Sequence, residues 1–260
     1  MKSWEQIRAD VVPLLERCWV TLGVPAALEP VEEMIDGIID PESAILLGML
    51  AGRDTRLWTD IPAWLNRFQD LVNFQKLGSM FRSLPEIVRD DLHAQLAGSM
   101  FDACPKRFLR IFGRDQNASE RIALSMRIKK LLPASEVAKR SIMIHNRLLF
   151  GTSFRADLAS LLLMKDAGLS GRKASFLLAA ANSTVSRIGS DFKDCGYVDV
   201  HGRMTSDQPR LPGLFLSTDT ARNYIELMQA SRFSHQVLWE NAVRQLDLRF
   251  DSFFLRLLEK

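Results

Sequence analysis

Cysteine is scarce in this chain. Cys18, Cys104 and Cys195 are odd in number and far apart, which argues against a disulfide framework and leaves no pair at metal-ligand spacing. That usage fits a reducing, cytoplasmic setting in which all three thiols are buried and inert. Histidine is as sparse. His93, His145, His201 and His235 stand alone, none at ligand spacing from another histidine or a cysteine, so no metal and no cofactor is expected. No hydrophobic run approaches the ~18 residues of a membrane helix. The start, MKSWEQIRADVV, has charges throughout and no apolar h-region, unlike a signal peptide; no membrane partner is expected. Catalytic signatures are missing too: there is no G-x-S-x-G, P-loop, H-E-x-x-H or dinucleotide fingerprint. The Gly-Ser pairs at 78–79, 98–99 and 189–190 lack the D-x-D that a nucleotidyltransferase needs, and Glu32/Glu33 and Asp90/Asp91 read as solvated helix ends. The expectation is a protein that is not an enzyme.

The chain does have a core to build and an uneven charge. Its 260 residues are 47% hydrophobic and 25% charged, enough for two compact domains or one large one. Net charge is only +3, but its distribution is polar. Residues 1–100 hold nine Lys/Arg against fifteen Asp/Glu, residues 101–139 nine against four, and residues 140–210 ten against six. An acidic first part joined to a basic middle raises the question of nucleic acid.

Helical periodicity dominates and strand signals are scarce before residue 197. Trp4, Ile7, Val11, Leu14, Leu15, Cys18 and Trp19 recur at helical spacing over 3–22, with Pro13 positioned to kink or split the helix. Asp40 caps a helix opening at Pro41. Further helices are expected at 59–69, at 73–82 capped by Asn73, and at about 86–103. The three at 41–51, 59–69 and 73–82 could form a trihelical unit, but in the acidic third they read as scaffold. One more helix, from a Ser135 cap to Gly151, is expected before the informative stretch.

From Thr152 the pattern becomes more specific. A helix with Phe154, Leu158, Leu161 and Leu162 on one face ends toward Gly168. Ser170 caps a second at 171–180, and a tight turn at Ala181-Asn182 leads to a third at about 183–194. At ~100° per residue, Val185, Ile188 and Phe192 fall on one side of that third helix, and Ser183, Arg187, Ser190 and Asp194 on the other. Ser186 flanks the polar group. Short hydroxyl residues permit close approach to a groove and bond phosphates, while an arginine can bond a guanine bidentately. Gly189 reads as a position for close helix packing. Gly196, a strand at 197–200, a turn at His201-Gly202-Arg203 and a second strand in LFLS (214–217) then form a strand–wing–strand, with Arg203 and Arg210 where a wing meets DNA backbone or minor groove.

NRLLFGTSFRADLASLLLMKDAG followed by ANSTVSRIGSDFKDCGYV resembles bacterial winged helix-turn-helix DNA-binding proteins, in particular those often encoded beside a nucleotidyltransferase in toxin–antitoxin-like or defence-related gene pairs. TVSR…DFKDCGYV is similar to the TVSRxLxxLexxGlv pattern of that class, with Gly189 where leucine is usual. The resemblance covers 146–216 and implies double-stranded DNA as partner, a regulatory role and a neighbouring-gene protein as possible second partner. Ser183, Thr184, Ser186, Arg187 and Ser190 would face the major groove, with Arg172, Lys173, Lys193, Arg203 and Arg210 on phosphates. The fold class expected is mainly α: a helical N-terminal domain (1–130), a winged helix-turn-helix with a small β wing (131–216) and C-terminal helices (217–260). In the last, Trp239, Ala242, Leu246, Phe250, Phe253 and Leu257 form an apolar stripe suited to packing on the N-terminal domain or to a homodimer. A competing expectation is a protein-binding, antitoxin-like module that works through its N- and C-terminal regions.

Overall fold

The computed structural model describes residues 4–25, 38–114, 127–163, 170–194, 198 and 214–216. The described chain is mainly helical. Its elements are α1 (Trp4–Thr21), β1 (Ile38–Ile39), α2 (Pro41–Leu50), α3 (Leu57–Phe68), α4 (Phe74–Arg82), α5 (Glu86–Leu96), α6 (Lys106–Ile111), α7 (Ala134–Arg140), α8 (Ile142–Phe150), α9 (Phe154–Leu162), α10 (Gly171–Leu178), α11 (Asn182–Asp194) and β2 (Leu214–Leu216).

The larger apolar core is organised around α2. Asp40 caps this helix, its carboxylate accepting from the Ser43 amide at 2.9 Å, and Pro41 occupies the first turn. Every residue of α2 is buried, so it forms the interior of the scaffold. α1 and α3 close over it. Trp19 meets Trp64 edge-on at 5.6 Å, and the Trp64 indole donates to the Leu22 carbonyl at 2.7 Å. A Cβ at Gly48 would lie 2.5 Å from Ile61 Cδ1 and 3.3 Å from Trp19 Nε1; hydrogen at this position is what lets the three helices approach. α1 runs through Pro13 without the split that proline could have caused. The next turns bury Leu14, Leu15, Cys18 and Trp19, and that packing offsets the lost backbone bond. α4 is capped as expected, Asn73 accepting from the Lys76 amide.

Two helices are shorter than periodicity suggested. The one expected at 86–103 ends at Leu96 and resumes as a 3-10 turn, Met100–Ala103. The one expected to reach Gly151 from Ser135 is divided at Ser141, which is extended (φ −128°, ψ 111°) and caps α8 through the Ile144 amide. A serine that can satisfy an orphan N–H makes this break cheap. Gly151 ends α8 at φ 75°, as expected.

A second, smaller core lies under α9, α10 and α11. It joins Leu158, Ala159 and Leu161 to Ala174 and Leu178, and these to Val185, Ile188, Phe192 and Val198. The buried side of α11 is thus the side the helical wheel marked. α10 stops at Leu178 rather than 180, because Ala179 is left-handed (φ 50°, ψ 39°). Ser175 braces this turn, its Oγ 3.2 Å from the Ala180 carbonyl and 2.5 Å from Asn182 Oδ1. Leu131, Val137 and Ile144 belong to the first core.

The expected β wing is not established. Leu214–Leu216 is a strand, but its partner is β1, in parallel, with Ile38 opposite Leu214 and Ile39 opposite Leu216. The anticipated hairpin with 197–200 is not seen among the described residues; of those four only Val198, a buried bridge residue, is described. The Gly168 stop, the wing turn and the C-terminal helices lie outside the described residues. No helix among the described residues is long and apolar enough to cross a membrane.

Candidate nucleic-acid interface

α11 presents the divided surface that the helical wheel requires. Val185, Ile188 and Phe192 anchor it, each at most 5% exposed. On the opposite side Ser183, Ser186, Arg187, Ser190 and Lys193 are exposed and Thr184 is half-buried. The helix is continuous through Gly189, and a Cβ added there would meet nothing within 4 Å. Close packing therefore does not require glycine at 189, contrary to expectation; the residue lies at the edge of the open face.

Arg172 and Lys173 are exposed on the first turn of α10, beside α11. Cations there oppose the helix dipole and cost a little stability, while exposed first-turn amides and cations suit an anion. Among the described residues, Arg172, Lys173, Arg187 and Lys193 form no ion pair with one another or with any other described side chain. Arg203 and Arg210 lie outside the described residues.

Two acids share the helix with these cations. Asp191 is paired with Arg155 of α9, whose guanidinium also lies 5.7 Å from the centre of the Phe192 ring. That contact cancels one negative charge and fastens α11 to α9. Asp194 is exposed at the helix end.

Behind this unit is a buried charge cluster that sequence reasoning missed. Asp40, Glu42, Lys76, Arg147 and Asp157 converge from β1–α2, α4, α8 and α9, none more than 2% exposed. Arg147 is its hub. The guanidinium carries five N–H groups, and each has an acceptor: Glu42 Oε1 and Oε2 at 2.7 Å, the Leu71 carbonyl at 2.7 Å, and Asp157 Oδ1 and Oδ2 at 2.8 and 2.9 Å. Lys76 bonds Asp40 and lies 3.6 Å from both Glu42 and Asp157. Glu42 Oε1 also accepts from the Asn73 amide at 2.7 Å.

The charges inside the cluster set its protonation. Burial favours neutral Asp40, but Lys76 and Arg147 outweigh it and hold this carboxyl below its ordinary range. Burial dominates at Glu42, and with the Asp40 charge beside it raises that carboxyl despite Arg147. Burial would also lower Lys76 and Arg147, yet the surrounding carboxylates raise both, so both stay charged.

The carboxylates of Asp40, Glu42 and Asp157 have oxygens within 4.8 Å of one another. A metal would need that spacing, but here the Lys76 ammonium and the Arg147 guanidinium already neutralise them. The arrangement is a structural ion network. Its mechanical effect is definite: Asp157, the fourth residue of α9, is locked through Arg147 to Glu42 of α2 and the Leu71 carbonyl and lies 3.6 Å from Lys76 of α4, which fixes α9 on the larger scaffold. A weak sequence trace exists in retrospect, since Glu42 is the one charge in PESAILLGML and Arg147 interrupts the apolar IMIHNRLLF.

Compared with protein-family models, curated proteins and solved structures, the chain matches none.

Proposed function

We propose that residues 154–216 are a winged helix-turn-helix that binds double-stranded DNA, and that the protein is a transcriptional regulator without catalytic chemistry of its own. The observation that carries this reading is the open face of α11: Ser183, Ser186, Arg187, Ser190 and Lys193 exposed opposite a fully anchored apolar side. α11 enters the major groove, with Thr184 at its leading end. Arg187 reaches a base edge and the serine hydroxyls bond backbone oxygens. Arg172 and Lys173, at the start of α10, meet the flanking phosphates.

The reading assigns Arg203 and Arg210 to the wing, on DNA backbone or minor groove. A twofold pair of such chains would read a palindrome and double the phosphate contacts.

Titration of labelled duplex DNA at low salt tests the reading. Binding is expected at micromolar protein or tighter, and Arg187→Ala is expected to weaken a selected site by about 1–3 kcal/mol and relax the base preference at one position. No binding at low salt rejects the proposal.

A further inference from the structure

α8 is inside out over residues 146–149. Asn146 and Arg147 are 4% and 1% exposed, whereas the apolar Leu148 and Leu149 are 48% and 65% exposed. With His145, also exposed, they occupy positions i, i+3 and i+4 and so form one contiguous face. Ordinary amphipathicity would bury the leucines and solvate the polar pair. The buried side is committed to the ion cluster, and the apolar side is left outward.

We infer that this face is the seat of the chain's own C-terminal stretch, residues 233–260, which docks there intramolecularly. The stretch has an apolar stripe at helical spacing, Trp239, Ala242, Leu246, Phe250, Phe253 and Leu257, and a stripe of that kind requires a cover. The strand pairing brings the chain to the right place. β2 runs parallel to β1 with Leu216 opposite Ile39, the residue before Asp40, and β1 contacts α8. Asp40 in turn lies 3.8 Å from Arg147 Nη2, one residue before Leu148. Residues 217–232 can span tens of ångströms at roughly 3.3 Å each, so the linker reaches the face easily. A tethered segment acts at an effective concentration of order millimolar, which favours the same chain over a second copy. This inference stands apart from DNA binding and does not depend on it.

Hydrogen exchange on the full chain, with sedimentation of the same samples, tests it. In the wild type, amides of 239–257 are expected to be protected in a monomer. In Leu148→Glu/Leu149→Glu they are expected to exchange at least about tenfold faster, with α9–α11 unchanged. Leu148→Ala/Leu149→Ala retains a strong helix former at both positions and is expected to give a smaller loss of the same pattern; it decides the matter if the charged variant unfolds. Unprotected 239–257 in the wild type, or protection unchanged in the alanine variant, overturns the inference. A wild-type dimer that the variants convert to monomer overturns it in favour of a second copy.

Discussion

Two cations of the scaffold and four of the α9–α11 unit are treated in opposite ways. In the scaffold of α1–α8, Lys76 and Arg147 are inside, and every N–H of Arg147 meets a carboxylate or carbonyl oxygen. In the α9–α11 unit, Arg172, Lys173, Arg187 and Lys193 are exposed, and no described side chain neutralises them. A buried paired cation is committed to architecture, because removing either partner strands a charge in a medium that cannot solvate it. A solvated cation without a partner costs the fold little to keep or to lose and can exchange its counterions for phosphate. The same kind of residue is therefore structural in one region and available for binding in the other.

The largest expected effect comes from breaking the architectural side. Arg147→Met leaves Glu42 and Asp157 buried against Lys76 alone and is expected to cost about 3–5 kcal/mol in urea unfolding; it should also loosen α9, seen as faster exchange in that helix. Lys76→Met is expected to act in the same direction.

Acid should sharpen the comparison within the cluster. The carboxyl of Asp40 is held below its ordinary range, so its contribution is present at neutral pH and is lost as pH falls through its folded pKa. Glu42 is raised, so its contribution has the opposite sign: it is fully present below the ordinary carboxylate range and is lost as pH rises through the raised value. Unfolding measured from about pH 7 down to about pH 3 should show less acid loss in Asp40→Asn than in the wild type, starting from a lower stability at neutral pH.

On the binding side, Gly189→Ala separates stability from function. Open space surrounds the missing Cβ, so alanine is expected to stabilise α11 by about 0.5–1 kcal/mol while weakening DNA binding where α11 must approach the groove closely. If both rise together, Gly189 has no role at the interface. The smallest effect is expected at the turn: Ala179→Gly relieves a left-handed alanine and should add up to about 1 kcal/mol, with binding unchanged.

These two regions also differ in how much of them sequence alone discloses. The anchored side of α11 follows from one local period, and Val185, Ile188 and Phe192 are buried as that period implies. Asp40 and Asn73 were legible as caps because each sits three residues before the amide it accepts. The ion cluster was not legible. Its hub joins residues 10 and 105 positions apart, and no periodicity indicates that an arginine will be buried. The break at Ser141 was missed because the apolar pattern continues across it and only the cap distinguishes two helices from one. Strand β2 was found, but its partner was not, since parallel pairing with a two-residue strand far upstream leaves no turn signal.

The salt dependence of duplex binding, measured with stability on the same samples, tests the central claim most directly. Wild type is compared with Arg172→Ala/Lys173→Ala/Arg187→Ala/Lys193→Ala. The account predicts a log–log salt slope shallower by about 3 in the variant, at ~0.9 per lost phosphate contact, with weaker binding and unfolding free energy within about 1 kcal/mol of wild type. A variant that binds with the wild-type slope, or one that unfolds as Arg147→Met does, would contradict it.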